Sequence, residues 1–321
     1  MVTLLKVVEL QTQFNTPAGT GIAVNQVSFS LDAGKILGIV GESGSGKSVL
    51  AYSLLNLVDP PGKVSGGRIE FKGELLSHTS EKRWNAVRGD RISMIFQDPM
   101  MCLNPIMKIG EQLVETLRIH KKISRSEAEK IACHSLERVG IAACAARMHS
   151  YPHELSGGMR QRIAIANAII NQPDLIIADE PTTALDVTIQ AQILYEMKAL
   201  IKTNNMAMLW ITHDISVVKD LADELCVMYA GCIIEQGPTE QVIRDPRHPY
   251  TKGLIDALPQ RSKRGSRLHA IAGSTPSLFN LPSGCVFKQR CERRSTQCDT
   301  RPDASRFESR MFHCFHPLEK K

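Results

Sequence analysis

One short segment carries the residue types that bind phosphate groups. The segment GESGSGKS at residues 41–48 fits the pattern of Gly, four residues, Gly-Lys-Ser, and it follows an apolar run, Lys35–Val40, that predicts a buried strand. Its glycines let successive backbone N–H groups turn inward toward an anion. Lys47 supplies a charge for the β- and γ-phosphates, and the Ser48 hydroxyl suits Mg²⁺. The predicted phosphate contacts are Gly41, Ser43, Gly44, Gly46, Lys47 and Ser48.

A second segment ends in two carboxylates. LIIADE at residues 175–180 is an apolar strand pattern that terminates in Asp179 and Glu180, where a nucleotide site at the carboxyl edge of an α/β sheet places its acidic groups. We expect Asp179 to hold Mg²⁺ and Glu180 to orient and deprotonate the attacking water. Such a pair can also simply cap a helix, so its weight comes from its partnership with the phosphate loop.

A third segment narrows the class. LSGGMRQR at residues 155–162 resembles the signature of ABC ATPases, with Met159 where glutamine is usual. Ser156, Gly157 and Gly158 open a predicted helix, Gly158–Asn171, whose N-terminus suits a γ-phosphate. The resemblance implies that this helix faces ATP held by another subunit, so that two ATP molecules lie between two such domains.

Other elements of the same family occur in the expected order. Gln97 resembles the loop residue that reaches Mg²⁺ or the attacking water, and the membrane subunit; His213 resembles the switch histidine that contacts the γ-phosphate. Asp186 resembles the loop that crosses to the partner. Phe14 lies where the family stacks an aromatic ring on adenine, although a half-buried strand residue is an equal alternative.

Predicted strands and predicted helices alternate along the part of the chain that positions these residues. Apolar runs rich in β-branched residues are separated by segments with helical spacing, which predicts a largely parallel α/β sheet. The opening residues instead favour antiparallel strands. The resemblance implies an ABC-type P-loop ATPase core with a parallel sheet and antiparallel β and helical subdomains. The predicted strands are Lys35–Val40, Ile92–Phe96, Leu175–Ala178, Met206–Ile211 and, antiparallel, Leu4–Phe14, Val24–Leu31 and Arg68–Phe71. The predicted helices are Lys47–Leu57, Ile109–His120, Arg125–Val139, Gly158–Asn171, Val187–Thr203 and Ile215–Ala222.

The C-terminal part resembles one branch of the family. HPYTKGL at 248–254, PSL at 276–278 and LPSGCVF at 281–287 resemble the extension of dipeptide and oligopeptide permease ATPases. Because Pro, Ser, Gly and Arg become frequent after the short helices that follow Pro238, we place a boundary near Leu258. The prediction is an ATPase domain at 1–258 and an extension at 259–321.

The nine cysteines divide into two groups. Five are scattered through the core and are interpreted as packing residues: Cys102, Cys133, Cys144, Cys226 and Cys232. Four lie in the tail and make a plausible Cys₄ metal site: Cys285, Cys291, Cys298 and Cys314. The resemblance implies a [4Fe-4S] cluster there, despite Gln289 where proline is usual; zinc and unliganded thiols are the alternatives.

Composition limits which other classes of protein the chain can belong to. The chain has 321 residues, 43% hydrophobic residues and a net charge of +6, with basic residues concentrated in the tail. These are not set among aromatics, so we expect a solvated surface and no nucleic acid partner. No apolar run reaches the ~20 residues of a membrane span, and the N-terminal residues lack a signal-peptide pattern. We therefore expect a cytoplasmic protein without disulfides.

The resemblance implies an ATPase subunit of an importer, with di- or oligopeptides favoured and nickel or haem-like solutes as alternatives. The expected partners are a second, paralogous ATPase subunit, two membrane-spanning permease subunits and, indirectly, an external solute-binding protein. The expected location is the cytoplasmic face of the inner membrane. A cytosolic ABC protein acting on ribosomes is disfavoured, because the chain has one set of motifs and no long coiled-coil insertion.

Overall fold

The structure is a computed structural model, and it describes residues 2–17, 19–182, 187–258 and 270–319. Asp186, the predicted cross-subunit residue, lies outside these ranges. The strands are β1 Thr3–Thr16, β2 Gly19–Asp32, β3 Ile36–Val40, β4 Gly62–Phe71, β5 Glu74–Leu75, β6 Ile92–Ile95, β7 Leu175–Asp179, β8 Ala207–Thr212, β9 Glu224–Tyr229, β10 Cys232–Pro238, β11 Ser305–Phe307 and β12 Arg310–Phe312. The α-helices are α1 Lys47–Leu54, α2 Glu81–Val87, α3 Ile109–His120, α4 Arg125–Arg138, α5 Cys144–Arg147, α6 Gly157–Ile169, α7 Val187–Asn204, α8 Ile215–Leu221, α9 Thr239–Arg244 and α10 Pro249–Asp256.

The chain forms two compact units. The helical unit comprises Asp32–Lys35 and Thr79–Leu209, and the sheet unit comprises Val2–Leu31, Ile36–His78 and Trp210–Lys321. The sheet unit therefore contains residues on both sides of Leu258. The domain boundary near that residue remains a prediction.

The sheet unit combines antiparallel and parallel pairing. β1 and β4 run antiparallel, with Leu5 opposite Phe71 and Phe14 opposite Gly62. β3 and β9 run parallel, and β9 returns antiparallel as β10. All five residues of β3 are buried, as expected for a parallel strand covered on both faces. This strand leads directly into the predicted phosphate loop.

The tail adds two short strands to the same unit. β12 pairs antiparallel with β10, with Phe312 opposite Glu235, and β11 pairs with β12. The Glu235 carboxylate accepts the backbone N–H groups of Arg247 and His248, each at 2.8 Å, at the residues that lead into α10. These hydrogen bonds compensate for burying a charged group.

The helical unit is built around the parallel pair β6 and β7 and the helices α3, α4 and α6. α3 begins and ends where its periodicity predicts, and Ile109, Leu113 and Leu117 are buried on one face because residues four apart share a side of a helix. None of the helices in the described ranges combines the length and the apolar character that crossing a bilayer requires.

One disulfide bond corrects the sequence analysis. Cys133 in α4 and Cys144 at the start of α5 are joined, with their Cα atoms 5.3 Å apart. The interpretation of these two as packing residues without a disulfide is therefore wrong. The chain turns between α4 and α5, which brings the two cysteines together across eleven residues. Cys226 and Cys232 are buried and Cys102 is partly buried, as expected of packing residues.

Candidate active-site loops

The predicted phosphate-binding loop lies in the sheet unit between β3 and α1. Gly46 precedes α1 with φ +97°, a left-handed conformation that favours glycine. A Cβ atom at this position would lie 2.2 Å from the carbonyl oxygen of Ala23. Backbone conformation and close packing therefore both require glycine there.

Lys47 points back into this loop. Its side chain is buried, and Nζ donates hydrogen bonds to the carbonyl oxygens of Gly41 at 2.8 Å and Glu42 at 2.9 Å. Ser48 is half-buried in the first turn of α1, while Ser43 and Gly44 are exposed. A lysine charge and a helix N-terminus thus lie at one loop, an arrangement that suits phosphate.

In the helical unit, the register of two strands brings together the predicted water-activating residues. β6 and β7 pair in parallel with Ile95 opposite Ala178, so their carboxyl ends are level. Gln97 follows β6 and Glu180 follows β7, and Gln97 Nε2 donates to Glu180 Oε2 at 3.3 Å. Asp179 is the last residue of β7 and is almost fully buried.

Glu180 has an uncommon backbone conformation. Its φ of +45° lies in the left-handed region, which for a residue with a Cβ costs on the order of 1–3 kcal/mol. The turn directs the chain away from β7 directly after Asp179. Consecutive carboxylates can therefore take separate roles, one buried and one half-buried.

The signature segment forms a serine-capped helix start in the helical unit. Ser156 is the N-cap of α6, and its Oγ accepts a hydrogen bond from the Met159 N–H at 3.3 Å. Ser156 and Gly157 are exposed. Further along the helix, the buried Arg162 donates to both oxygens of Glu196 in α7, at 3.2 and 3.1 Å. The Arg162–Glu196 contact thus anchors the middle of the helix, while its N-terminus is exposed.

The remaining predicted residues lie in the sheet unit. His213 is exposed directly after β8, and the next residue, Asp214, caps α8 by accepting the Ser216 N–H at 2.8 Å. Phe14 is half-buried in β1, where its ring covers Gly62: a Cβ there would lie 2.5 Å from Phe14 Cε1. The roles of both residues toward a nucleotide remain predictions.

One contact at the phosphate loop was not predicted from the sequence. Arg290, in the tail, forms a salt bridge with Glu42 of the loop. They are separated by 248 residues along the chain, so no local pattern reveals the pair. The available signal was a basic residue directly before Cys291.

The four tail cysteines lie within electrostatic range of one another. Cys285 and Cys298 are buried, whereas Cys291 and Cys314 are half-buried. The Cys285 N–H donates to the Cys298 carbonyl at 2.9 Å, and the two segments touch because Gly284 has no Cβ. Burial raises the pKa of Cys314 to about 11, and the charges of the other three tail cysteines contribute to this shift. Without a bound metal these conditions favour the neutral thiol of Cys314, and a metal ion or cluster bound there would favour the thiolate by displacing its proton.

The spacing of these sulfurs can be compared with that of a tetrahedral zinc site. Within the described ranges, the one set of three metal-ligating side chains whose ligand atoms all lie within 4.8 Å is Cys133, Glu137 and Cys144. No three tail sulfurs are therefore that close. A tetrahedral zinc site needs sulfurs about 3.8 Å apart, because each Zn–S bond is about 2.3 Å. The tail sulfurs therefore do not form a tetrahedral four-sulfur site in this structure.

The fold and these loops define an ABC-type ATPase. The family model described as "ABC transporter" matches residues 24–183, and the one described as "Oligopeptide/dipeptide transporter, C-terminal region" matches 234–298. The chain belongs to the family of oligopeptide and dipeptide transport ATP-binding proteins. ATP and Mg²⁺ are the substrate and cation expected for this class.

Full-length similarity supports this assignment. The oligopeptide transport ATP-binding protein OppD of Salmonella typhimurium is 45% identical over 99% of this chain and 95% of its own length. The dipeptide transport ATP-binding protein DppD of Bacillus subtilis is 48% identical over 92% of this chain and 89% of its own. The predicted membership in this branch of transporter ATPases is therefore confirmed.

Solved structures confirm the predicted cassette fold. A dimeric ATP-binding cassette in a post-hydrolysis state, bound to ADP and Pi, is 25% identical and superposes with a TM-score of 0.67, covering 74% of this chain and 99% of its own. The protein cbiO1 of Clostridium perfringens, part of the transporter complex cbiONQ, is 28% identical with a TM-score of 0.65, covering 76% and 92%.

Proposed function

We propose that this chain binds and hydrolyses ATP to power the import of oligopeptides or dipeptides. Its relatives carry transport of these solutes in their names, and the similarity extends over nearly the whole chain. The observation that supports ATP hydrolysis is the hydrogen bond between Gln97 and Glu180, which lie just beyond the level ends of two parallel strands.

Each site residue has a proposed role that follows from its chemistry. Lys47 and the backbone N–H groups of residues 41–48 bind the phosphates, and Ser48 and Asp179 hold Mg²⁺ through oxygen atoms. Glu180 accepts the proton of the attacking water, and Gln97 orients the Glu180 carboxylate and that water. His213 contacts the γ-phosphate, and Phe14 stacks on the adenine.

The signature residues of this chain act on ATP that is bound by another subunit. Ser156, Gly157 and Gly158 donate to the γ-phosphate of ATP that a partner ATPase subunit holds, and Asp186 contacts that partner. The related cassette is dimeric, and the exposed start of α6 is suited to a ligand from outside the chain. We infer a paralogous partner, two membrane-spanning permease subunits and an external solute-binding protein. The chain is then peripheral, at the cytoplasmic face of the inner membrane. ATP binding closes the dimer, and hydrolysis followed by phosphate release reopens it.

Glu180→Gln tests the proposed hydrolysis. In complexes reconstituted with the membrane subunits, this variant should lose roughly 10²–10⁴-fold in turnover, because an amide cannot accept the proton of water. The affinity for ATP should stay within about threefold of wild type, since the phosphate loop is untouched. Both quantities are measured by phosphate release and by nucleotide titration.

Glu115→Gln is the matched control, because Glu115 is an exposed glutamate of α3 in the same unit. Near-normal hydrolysis by Glu180→Gln would eliminate Glu180 as the base. The solute class is tested with the same reconstituted complexes. ATPase stimulation by a peptide-loaded binding protein supports the proposed solute class, and stimulation only by nickel or haem-like solutes contradicts it.

We also propose that Cys285, Cys291, Cys298 and Cys314 bind a [4Fe-4S] cluster with a structural role. The proximity of the four cysteines supports it, because Cys285, Cys291 and Cys298 all act electrostatically on the pKa of Cys314. Protein purified without oxygen should contain iron and acid-labile sulfide in equal amounts, and Cys298→Ser should lose both. Stoichiometric zinc without iron would reject the cluster.

A further inference from the structure

One arginine of the tail holds the first acidic residue of the phosphate loop. Arg290 NH1 lies 2.6 Å from Glu42 Oε2, and NH2 lies 3.1 Å from Oε1. Only 6% of the Arg290 side chain and 27% of the Glu42 side chain are exposed. This is a two-point contact, in which the planar guanidinium fixes the orientation of the carboxylate.

The guanidinium itself cannot easily turn. Nε donates to the Ala272 carbonyl at 2.8 Å, NH2 also donates to the Ile271 carbonyl at 3.2 Å, and NH1 also reaches Tyr229 Oη at 3.4 Å. With the two bonds to Glu42, all five N–H donors of an arginine have acceptors. The tail therefore presents a rigid cation to the loop.

Glu42 is fixed from further sides. Thr275 Oγ1 donates to its carboxylate at 2.9 Å, and its backbone N–H donates to Tyr250 Oη at 2.9 Å. Its carbonyl oxygen accepts Lys47 Nζ at 2.9 Å and the Ser45 N–H at 3.2 Å. Glu42, which Arg290 holds, therefore also helps to position the phosphate-binding lysine, together with the Gly41 carbonyl.

An aromatic group covers the contact. Tyr229, Tyr250 and Phe287 pack with ring centroids 4.7 to 5.4 Å apart, and Arg290 lies near the rings of Tyr229 and Phe287. A guanidinium is not deprotonated in proteins. The arginine stays charged, and reduced access of water strengthens the ion pair.

We propose that Arg290 is a positioning residue for ATP binding, which acts through Glu42 to hold residues 41–48 in the phosphate-binding conformation. The inference deepens the proposed function and rests on it. The tail then has a part in nucleotide affinity, although Arg290 itself contacts neither phosphate nor metal. Arg290 directly precedes Cys291, so the residue that holds Glu42 belongs to the cysteine-containing tail.

Arg290→Met tests the proposal in the full chain. It keeps an unbranched side chain but removes the charge and all five donors. The Kd for ATP should rise about tenfold, because the loop lysine loses its fixed support. Turnover at saturating ATP should stay within about threefold, since Glu180 and Gln97 are unchanged. Lys288→Met is the matched control, because Lys288 pairs with Asp299 in the same tail segment and should leave the Kd unchanged.

Two milder variants separate positioning from folding. Arg290→Lys keeps the charge without the planar fork and should give an intermediate Kd. Glu42→Gln should weaken ATP binding as well, and the double variant Glu42→Gln/Arg290→Met should bind ATP no more weakly than Arg290→Met alone, because both changes break one contact. Chemical denaturation of each variant reports whether the fold is retained.

The outcomes distinguish a failure of the positioning role from a failure of the proposed ATPase function. If wild type binds ATP and Lys47→Ala loses binding, while Arg290→Met and Glu42→Gln bind normally, the positioning role is wrong and the proposed function stands. Strictly additive effects of the two substitutions would also overturn the positioning role. If wild type binds no ATP, the proposed function itself fails.

Discussion

The two segments aimed at phosphate differ in how far the chain itself completes them. Around residues 41–48, Lys47 is buried against loop carbonyls, and Glu42 is held by Arg290 and Thr275. At the start of α6, Ser156 and Gly157 are exposed, and a Cβ on Gly157 would meet no atom within 4 Å. The first segment is thus held by side chains of its own subunit, although Ser43 and Gly44 are exposed, whereas both residues at the start of the second segment are exposed.

This difference fits the division of labour in a dimeric ATPase. A loop that must bind nucleotide before any partner arrives gains from preorganisation within its own chain. A segment that recognises nucleotide on another subunit must instead remain accessible until the subunits meet. We therefore expect substitutions in the two segments to separate ATP binding from turnover.

The largest effect is expected for Gly46→Ala. The new Cβ would meet the Ala23 carbonyl, and φ of +97° is strained for alanine, so the loop must shift. The Kd for ATP should rise by roughly 10²-fold or more, measured by nucleotide titration of the isolated chain. Gly44→Ala shares the positive φ but has open space at its Cβ, so it should weaken binding less. Unaltered affinity in Gly46→Ala would show that the loop is not preorganised by packing.

A smaller and different effect is expected for Gly157→Ala. Its Cβ has room within the chain, so the isolated variant should bind ATP within about twofold of wild type. In the assembled dimer the methyl group would stand between α6 and the nucleotide, and turnover should fall about tenfold. Phosphate release by the reconstituted complex measures this. A loss of ATP affinity in the isolated chain would contradict the proposed contrast.

Sequence periodicity predicted most of the fold, and errors cluster where tertiary contacts set the limits. α3 was predicted to the residue, but β2 extends to Gly19–Asp32 beyond the predicted Val24–Leu31. Antiparallel partners lengthen a strand past its apolar stretch. α2 was not predicted at all, although Ser80 caps it by accepting the Arg83 N–H, because its only buried residues, Trp84 and Val87, are too few to define a helical period.

The candidate site was predictable where chemistry is encoded locally. The phosphate loop and the acidic strand end are contiguous, so their residue types and order identify them. The contact between Arg290 and Glu42 depends on two side chains far apart in sequence, and the Cys133–Cys144 bond depends on the turn between two helices. Neither could be inferred without the fold.

The level ends of β6 and β7 have a consequence for how this chain can diverge. Register alone fixes Gln97 beside Glu180, and the chain between them leaves one strand and returns on its neighbour. Residues within this excursion can be inserted or deleted without moving either end, provided that neither strand slips. Evolution can therefore reshape the helices in between while the spacing between amide and carboxylate is inherited unaltered.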